Sequence, residues 1–360
     1  MADYISFQPK DVFKAKDYTG NGSTQSITGV GFQPGLNWIK DNSTDRHNLT
    51  DAARGATYWI RSDQTAASTA DANAMTAFNA DGFSVGTTDA VNKNTIALTS
   101  WNWKTGTSTG VSGGTITPSA YSINTTSKFG IYKYTGNATS GATIAHGLGV
   151  APKLLITKKI STTGDWHVAH PGNTYPWNSY LYLNSADAAQ EVNSATWFLN
   201  DTAPDATNIT LGNGAGINGS GVDYIIYAWA PVKGYSAFGV YEGNGNADGT
   251  FVYTGFQPEF IIAKNRDSGG PAAYGWSMIT NTYGMSGATT ANPSYNELTQ
   301  NFFADQAVAR TTGNAVDFLS NGFKWRSTGN AGNQSSSPFV YMAWAKQPLV
   351  SSNSKAGTAR

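Results

Sequence analysis

Four histidines, one glycine-rich hexapeptide and one Asn/Asp loop are the parts of this sequence whose spacing most resembles a chemical site. Gly214-Ala-Gly216-Ile-Asn-Gly219 fits G-x-G-x-x-G, which cradles a pyrophosphate when a strand leads in and a helix leads out. A strand-like run at 222–229 follows instead, so the segment reads as a hairpin loop. Asn244-Gly-Asn246-Ala-Asp248-Gly249 resembles the first half of a calcium loop, yet the first and twelfth positions hold Asn244 and Gly255. Without the leading Asp and the closing Glu it reads as a turn. His167 and His170 form the one close histidine pair, and on an extended segment that spacing turns them to opposite faces. His47 and His146 stand alone, with no Ser and Asp arranged for a triad. Asp201 and Asp205 flank Pro204 in a turn rather than forming a glycosidase pair. No catalytic, cofactor-binding or metal-binding residue is therefore expected, and the chain reads as a non-enzyme.

Composition points the same way. Forty Gly and only 13 % charged residues sit among abundant Asn, Ser and Thr, a mixture suited to strands joined by tight turns. Eleven Trp, 18 Tyr and 16 Phe supply far too much apolar surface for a disordered chain. Lys and Arg total 23, as do Asp and Glu, so no long-range field draws nucleic acid or an anionic membrane. There is no Cys, hence no disulfide, thiolate metal site or cysteine nucleophile. Residues 1–16 lack an apolar signal core, and no run reaches membrane-spanning length, so synthesis and release in a cytoplasm are expected. The Asn-x-Ser/Thr sites at Asn42, Asn48, Asn137 and Asn208 accordingly read as turn chemistry.

Internal repetition organises the chain. Three segments begin alike, at Tyr18-Thr-Gly-Asn-Gly, Tyr134-Thr-Gly-Asn and Tyr241-Glu-Gly-Asn-Gly. Each leads to a proline and then, six residues on, to the lysine that ends a strand: Pro34 to Lys40, Pro152 to Lys158, Pro258 to Lys264. Each copy closes on an aromatic strand around Trp103, Trp229 or Trp344. FNADGFSVG (78–86) and FLSNGFKWR (318–326) match between copies one and three, while copy two keeps only NITLGNG (208–214). The proline periods are 152 − 34 = 118 and 258 − 152 = 106 residues, too long for a solenoid unit.

The fold class expected is all-β, as three tandem antiparallel β-sandwich (jelly-roll-like) domains of about 105 to 115 residues. Their boundaries read as an arm at 1–11, copies at 12–104, 128–233 and 236–348, a Gly/Ser/Thr linker at 105–127 and a flexible tail at 349–360. Helical signals are confined to 295–310, where Leu298, Phe302 and Phe303 share a face, and to the Ala-rich stretch 64–77. Aromatics outside the repeated landmarks are Trp59, Trp166, Tyr175, Trp177, Trp197 and Trp276. On a sandwich surface such rings stack on sugars. Tyr175 and Trp177, in a loop marked by Pro176 and Asn178, lead the candidate ligand contacts, with Trp166 and Trp276 behind them.

YTGNGSTQSITGVGFQP (18–34) with its WIK strand, DGFSVG (81–86), NRDS (265–268) and YMAWA (341–345) together resemble a known family. It comprises the repeated β-sandwich (laminin-G/concanavalin-like) virion proteins of marine bacteriophages. The resemblance covers nearly all of 12–348 and implies a virion surface protein: a short tail fibre or receptor-binding adhesin, or else a capsid decoration protein. It further implies homotrimers, contact with other virion proteins and host-surface glycans, and no cofactor. Only about 16 residues precede the first copy and no heptads occur, which suits a compact module. A free carbohydrate-binding module and a polysaccharide depolymerase are the alternatives from other classes.

Overall fold

The computed structural model describes residues 5–192, 194–270, 274–282 and 298–347. The tail at 349–360, residues 1–4 of the arm and residues 295–297 of the helical reading lie outside the described residues. The fold is all-β and antiparallel, and each copy builds its large sheet the same way. An opening strand (Phe13–Thr19, Phe129–Thr135, Ser236–Gly243) pairs with the closing strand (Ala97–Lys104, Asp223–Trp229, Ser337–Ala345). The closing strand pairs in turn with a core strand (Pro34–Asp41, Leu154–Lys159, Pro258–Asn265), beyond which lie shorter strands. Register is preserved: the closing tryptophans Trp103, Trp229 and Trp344 face Phe13, Phe129 and Ser236 on one side, and Leu36, Leu154 and Phe260 on the other.

Over each large sheet lies an outer layer, a separate small sheet in copies one and two and, in copy three, the continuation of the large sheet through Leu298–Phe303 and Thr311–Leu319. Gln25–Thr28 pairs with Gly82–Val85, Ala142–Ala145 with Asn208–Leu211, and Phe251–Tyr253 with Gly322–Trp325. The copy-two remnant NITLGNG thus occupies the place of the DGFSVG element, with Ile209 buried where Phe83 and Phe323 are buried. Each copy is a two-layer sandwich with its own outer apolar cluster.

The inner faces hold the greater surprise. Trp38, Trp101 and Trp103 of copy one, Ile156, Tyr227 and Trp229 of copy two, and Ile262, Met342 and Trp344 of copy three form one buried cluster. The three copies are therefore three walls around a shared core rather than beads along a chain. At one end the closing tryptophans meet pairwise edge to face, with ring centroids 6.0, 5.2 and 5.9 Å apart. This explains the core strands, in which Pro34–Asp41 and Pro258–Asn265 are buried at every position. A sheet covered on both faces loses the polar alternation of a half-exposed one.

Three expectations differ from what is observed. Segment 105–127 is not a free linker: Ala120–Asn124 adds a strand to the copy-two sheet, and Gly114 and Ile116 bridge to Ile144. Its Gly/Ser/Thr composition masked the apolar residues Ile116 and Ile123, which bury in the copy-two outer core. Residues 298–303 form a strand, not a helix, because they join the sheet between Ser277–Thr280 and Thr311–Leu319. Residues 64–77 likewise hold the short strand Thr69–Ala70 and the start of Met75–Asn79, with no helix.

Each Tyr-x-Gly-Asn turn is held by a buried asparagine that no repeated motif revealed. Asn92, Asn218 and Asn333 accept the backbone N–H of Asn21, Asn137 and Asn244 and donate to the side chains of the same residues. Tyr18, Tyr134 and Tyr241 donate their hydroxyls to the carbonyl just before each asparagine, on Val91, Ile217 and Gly332. The residue after the turn asparagine has positive φ in all three copies: +65° at Gly22, +56° at Ala138 and +64° at Gly245. Glycine suits two of these positions, while copy two holds an alanine there under strain. Asn218→Ala removes the partner of the Asn137 N–H and of the Thr139 and Gly212 carbonyls. Chemical denaturation should show a loss of about 2 kcal/mol. Asn218→Asp should cost more, since its carboxylate faces those carbonyls and has no N–H to offer.

Candidate functional site

Two of the four aromatic ligand candidates prove to be internal. Trp166 and Trp276 are fully buried and pin neighbouring copies together. Trp166 Nε1 donates to the Arg61 carbonyl of copy one at 2.8 Å, and Trp276 Nε1 donates to the Tyr182 carbonyl of copy two at 2.8 Å. His47 closes the ring, with Nε2 2.8 Å from the Phe303 carbonyl of copy three. Their Asp- and Gly-rich sequence context suggests exposed loops, but these loops fold into the seams between walls. The repeated lysines are buried at the same end. Lys158 donates to the carbonyls of Thr65 and Lys159, and Lys264 to those of Asn265 and Ser268. Burial pulls both ammonium groups down to about 8.

Tyr175 is exposed as expected, whereas Trp177 is half-buried against the copy-two outer core with Lys153 above its ring.

The histidines belong to the core. His170 accepts the Gly172 N–H at Nδ1 and reaches the Tyr341 carbonyl through Nε2 at 3.0 Å. His47 uses the same pattern, accepting from Trp38 Nε1 and reaching Phe303, and so does His146 between the Leu148 N–H and the Asp205 carbonyl. An Nδ1 that accepts fixes the neutral ring with its proton on Nε2. His167 lies on the opposite face from His170, packed against Tyr180, Tyr182 and Trp197.

The G-x-G-x-x-G segment is not the hairpin loop expected. It carries a single helical turn, Ala215–Asn218, between the strands Asn208–Leu211 and Asp223–Trp229, which belong to different sheets. Its glycines serve close packing: a side chain at Gly214 would strike Trp197, and one at Gly216 would strike His167. The Asn244 loop is a run of side-chain turns, with Asn244 accepting from the Asn246 N–H and Asn246 from that of Asp248. Among the described residues no three His, Asp or Glu side chains are grouped to hold a metal ion.

Among the described residues, the outer layer of copy three exposes two large rings on one short strand. Phe251 is 44 % exposed and Tyr253 67 % exposed, while Val252 between them is buried. Phe251 opposes Lys324, which opposes Asp317, so these side chains share one face. Asp248 pairs with Lys324 at 2.6 Å and with Arg326 at 3.3 Å, and Arg326 also reaches Asp317. The Lys324 hydrogen bond and charge hold the Asp248 carboxyl below its ordinary range. Beside Phe251, Tyr241, Asn244 and Ser335 line an open groove of about 670 Å³. By register the two ring positions are Ser26 and Thr28 in copy one, and Thr143 and Ala145 in copy two. The fold thus builds this strand without aromatics twice, and the rings of copy three are additions. Sequence reasoning missed them, although aligning the copies at the buried Ile27, Ile144 and Val252 would have exposed the contrast.

The chain belongs to the family described as Domain of unknown function (DUF7483), whose profile matches residues 8–348. No curated protein and no solved structure matches it. Among the described residues no helix is long and apolar enough to cross a membrane.

Proposed function

We propose that this DUF7483 chain is a bacteriophage virion surface protein, tail-associated, that contacts host-surface glycans through the outer face of copy three. The observation that carries the binding role is the exposed pair Phe251 and Tyr253, placed where the other copies hold Ser, Thr or Ala. An exposed ring offers a flat apolar face to the C–H face of a sugar. Lys324, Arg326, Asp248 and Asp317 on the same face supply charged donors and acceptors for hydroxyl groups. The virion assignment rests on the sequence resemblance. The interlocked core supports it physically, because a module held through three seams suits a particle exposed to the environment.

On an array of bacterial surface glycans, the intact chain should bind and Tyr253→Ala should bind about tenfold more weakly, the loss of one stacked ring. Equal binding by Tyr253→Ala and by Phe251→Ala would remove this face from consideration. Labelled antibody on purified virions tests the location separately. Label confined to the tail supports the proposal; label over the capsid replaces it with a decoration role.

A further inference from the structure

One stretch of the outer face is finished differently in each copy. Leu49, Val168 and Met278 stand opposite Trp38, Ile156 and Ile262 on one side and Ile60, Leu181 and Phe302 on the other. Ile60, Leu181 and Phe302 face the shared core, so their neighbours Trp59 and Arg61, Tyr180 and Tyr182, and Asn301 and Phe303 face away from it. In copy two Trp197 stacks on Tyr180 at 5.4 Å, and Phe198 approaches to 5.1 Å. In copy three Asn301 and Phe303 are buried. In copy one no ring covers Trp59 among the described residues. The Arg61 guanidinium lies over it instead, 4.1 Å from the ring centroid.

The pair borders a cavity of about 280 Å³ whose walls include Gln64, Ala66, Ala67 and Thr69. Ala66 and Thr69 are exposed, so the cavity opens to solvent. Gln64 and Ala66 also border a neighbouring opening of about 490 Å³, which Arg46, Thr163 and Asn184 line at the seam with copy two. The nearby cations Arg46 and Lys93 each hold a carboxylate, Asp63 at 2.9 Å and Asp45 at 2.8 Å, whereas Arg61 forms no ion pair among the described residues. The Gln64 amide serves one arginine at a time. Its oxygen accepts from Arg61 Nη1 at 3.3 Å in one orientation, or from Arg46 Nε at 2.9 Å in the other. The shorter bond leaves Arg61 without an acceptor. Burial lowers the Arg61 pKa, with Asp63 opposing and Arg46 assisting. Trp59 Nε1 meets no acceptor either.

We propose that Trp59 and Arg61 form a binding site for the carboxylate of a small ligand, an acidic sugar residue or a short organic acid, separate from the outer face of copy three. A guanidinium stacked on an indole keeps its edge N–H groups free for a bidentate carboxylate. One unpaired guanidinium balances a single negative charge, which favours a carboxylate over a phosphate dianion. Trp59, Ala66 and Ala67 supply apolar walls for the carbon skeleton, and Thr69, opposite Trp59 in register, supplies a hydroxyl. The volume lies near the lower limit of ligand pockets, about 300 Å³, and so suits one ring or a short acid. The neighbouring opening leaves room for what is attached to it.

Ligand-observed NMR titration of the full chain with glucuronate, acetate, glucose and inorganic phosphate tests the site. A carboxylate should bind in the millimolar range, and Arg61→Gln should weaken it about tenfold or more, the loss of a charged hydrogen-bonding partner. The variant should keep its thermal melt, because the Arg61 group that receives Trp166 across the seam is the backbone carbonyl. Ala67→Leu fills the cavity without changing charge and provides a second disruption if it does not. Glucuronate bound more tightly than acetate identifies an acidic sugar as the ligand; acetate bound equally well identifies a short acid. A chain that takes up neither carboxylate at tens of millimolar overturns the proposal. So does glucose or phosphate binding as tightly as glucuronate, or carboxylate binding that both variants leave intact.

Discussion

Trp103→Ala is expected to destabilise the whole chain by about 3–5 kcal/mol, and to do so in a single unfolding transition. Trp103 packs edge to face on Trp229 and Trp344 and also lies against Phe13 and Phe260. Truncating it opens a cavity where all three walls meet, so neither neighbouring copy keeps its inner face packed. Three independent sandwiches would answer differently, with one of three transitions moving and the other two staying. Calorimetry of wild type and variant distinguishes the cases, and a scan in which only one of several transitions shifts would contradict the shared core. Trp103→Phe should recover much of the loss. It keeps a ring in place and removes an indole N–H that finds no hydrogen-bond acceptor among its neighbours.

The elements that define a copy were legible because their chemistry is local. A proline before a strand, an Asn-Gly turn and a closing aromatic strand each state a backbone requirement that residue type reveals. How the copies meet was far less legible, since inner and outer faces look alike in sequence. One clue was present: KLLITK and EFIIAK run without polar alternation, which a sandwich strand with one wet face would show. Trp166 and Trp276 misled in the opposite sense. Each follows an Asp or Gly that marks a loop, and only the fold reveals that the loop lies against the next copy. The bracing asparagines Asn92, Asn218 and Asn333 escaped notice because little around them repeats; their role depends on partners 71, 81 and 89 residues away. The exposed ring pair of copy three was hidden for a different reason. Phe251 and Tyr253 look like ordinary strand residues until register shows what stands in their place elsewhere.

The second large effect is on acid stability, through histidines held neutral inside the core. Burial lowers His47 to about 3, and His167 and His170 to about 4. In the unfolded chain each regains an ordinary value of about 6.5. Between those limits the unfolded state binds more protons than the folded one, so stability falls as pH falls from about 6.5 towards 4. Each group contributes about 1.4 kcal/mol per pH unit once its unfolded form is fully protonated, or about 4 kcal/mol per unit for the three together. The hydrogen bonds set the same sign: protonating His47 or His170 destroys the Nδ1 acceptor that holds Trp38 or Gly172. Opposing this are the buried carboxyls of Asp63, Glu259 and Asp305, all raised chiefly by burial, whose protonation favours the folded state as pH falls through their folded values. Their contribution has the opposite sign to that of the histidines, so the slope measured is the difference between the two sets. Urea denaturation at pH 7.5, 6.5 and 5.5 should therefore show a loss that steepens with each step. His146 is lowered by burial in the same direction, so His170→Gln, which preserves an acceptor towards Gly172 and a donor towards Tyr341 but takes up no proton, should reduce the slope by about a quarter to a third. A slope that His170→Gln leaves unchanged would show that this ring takes up no extra proton on unfolding.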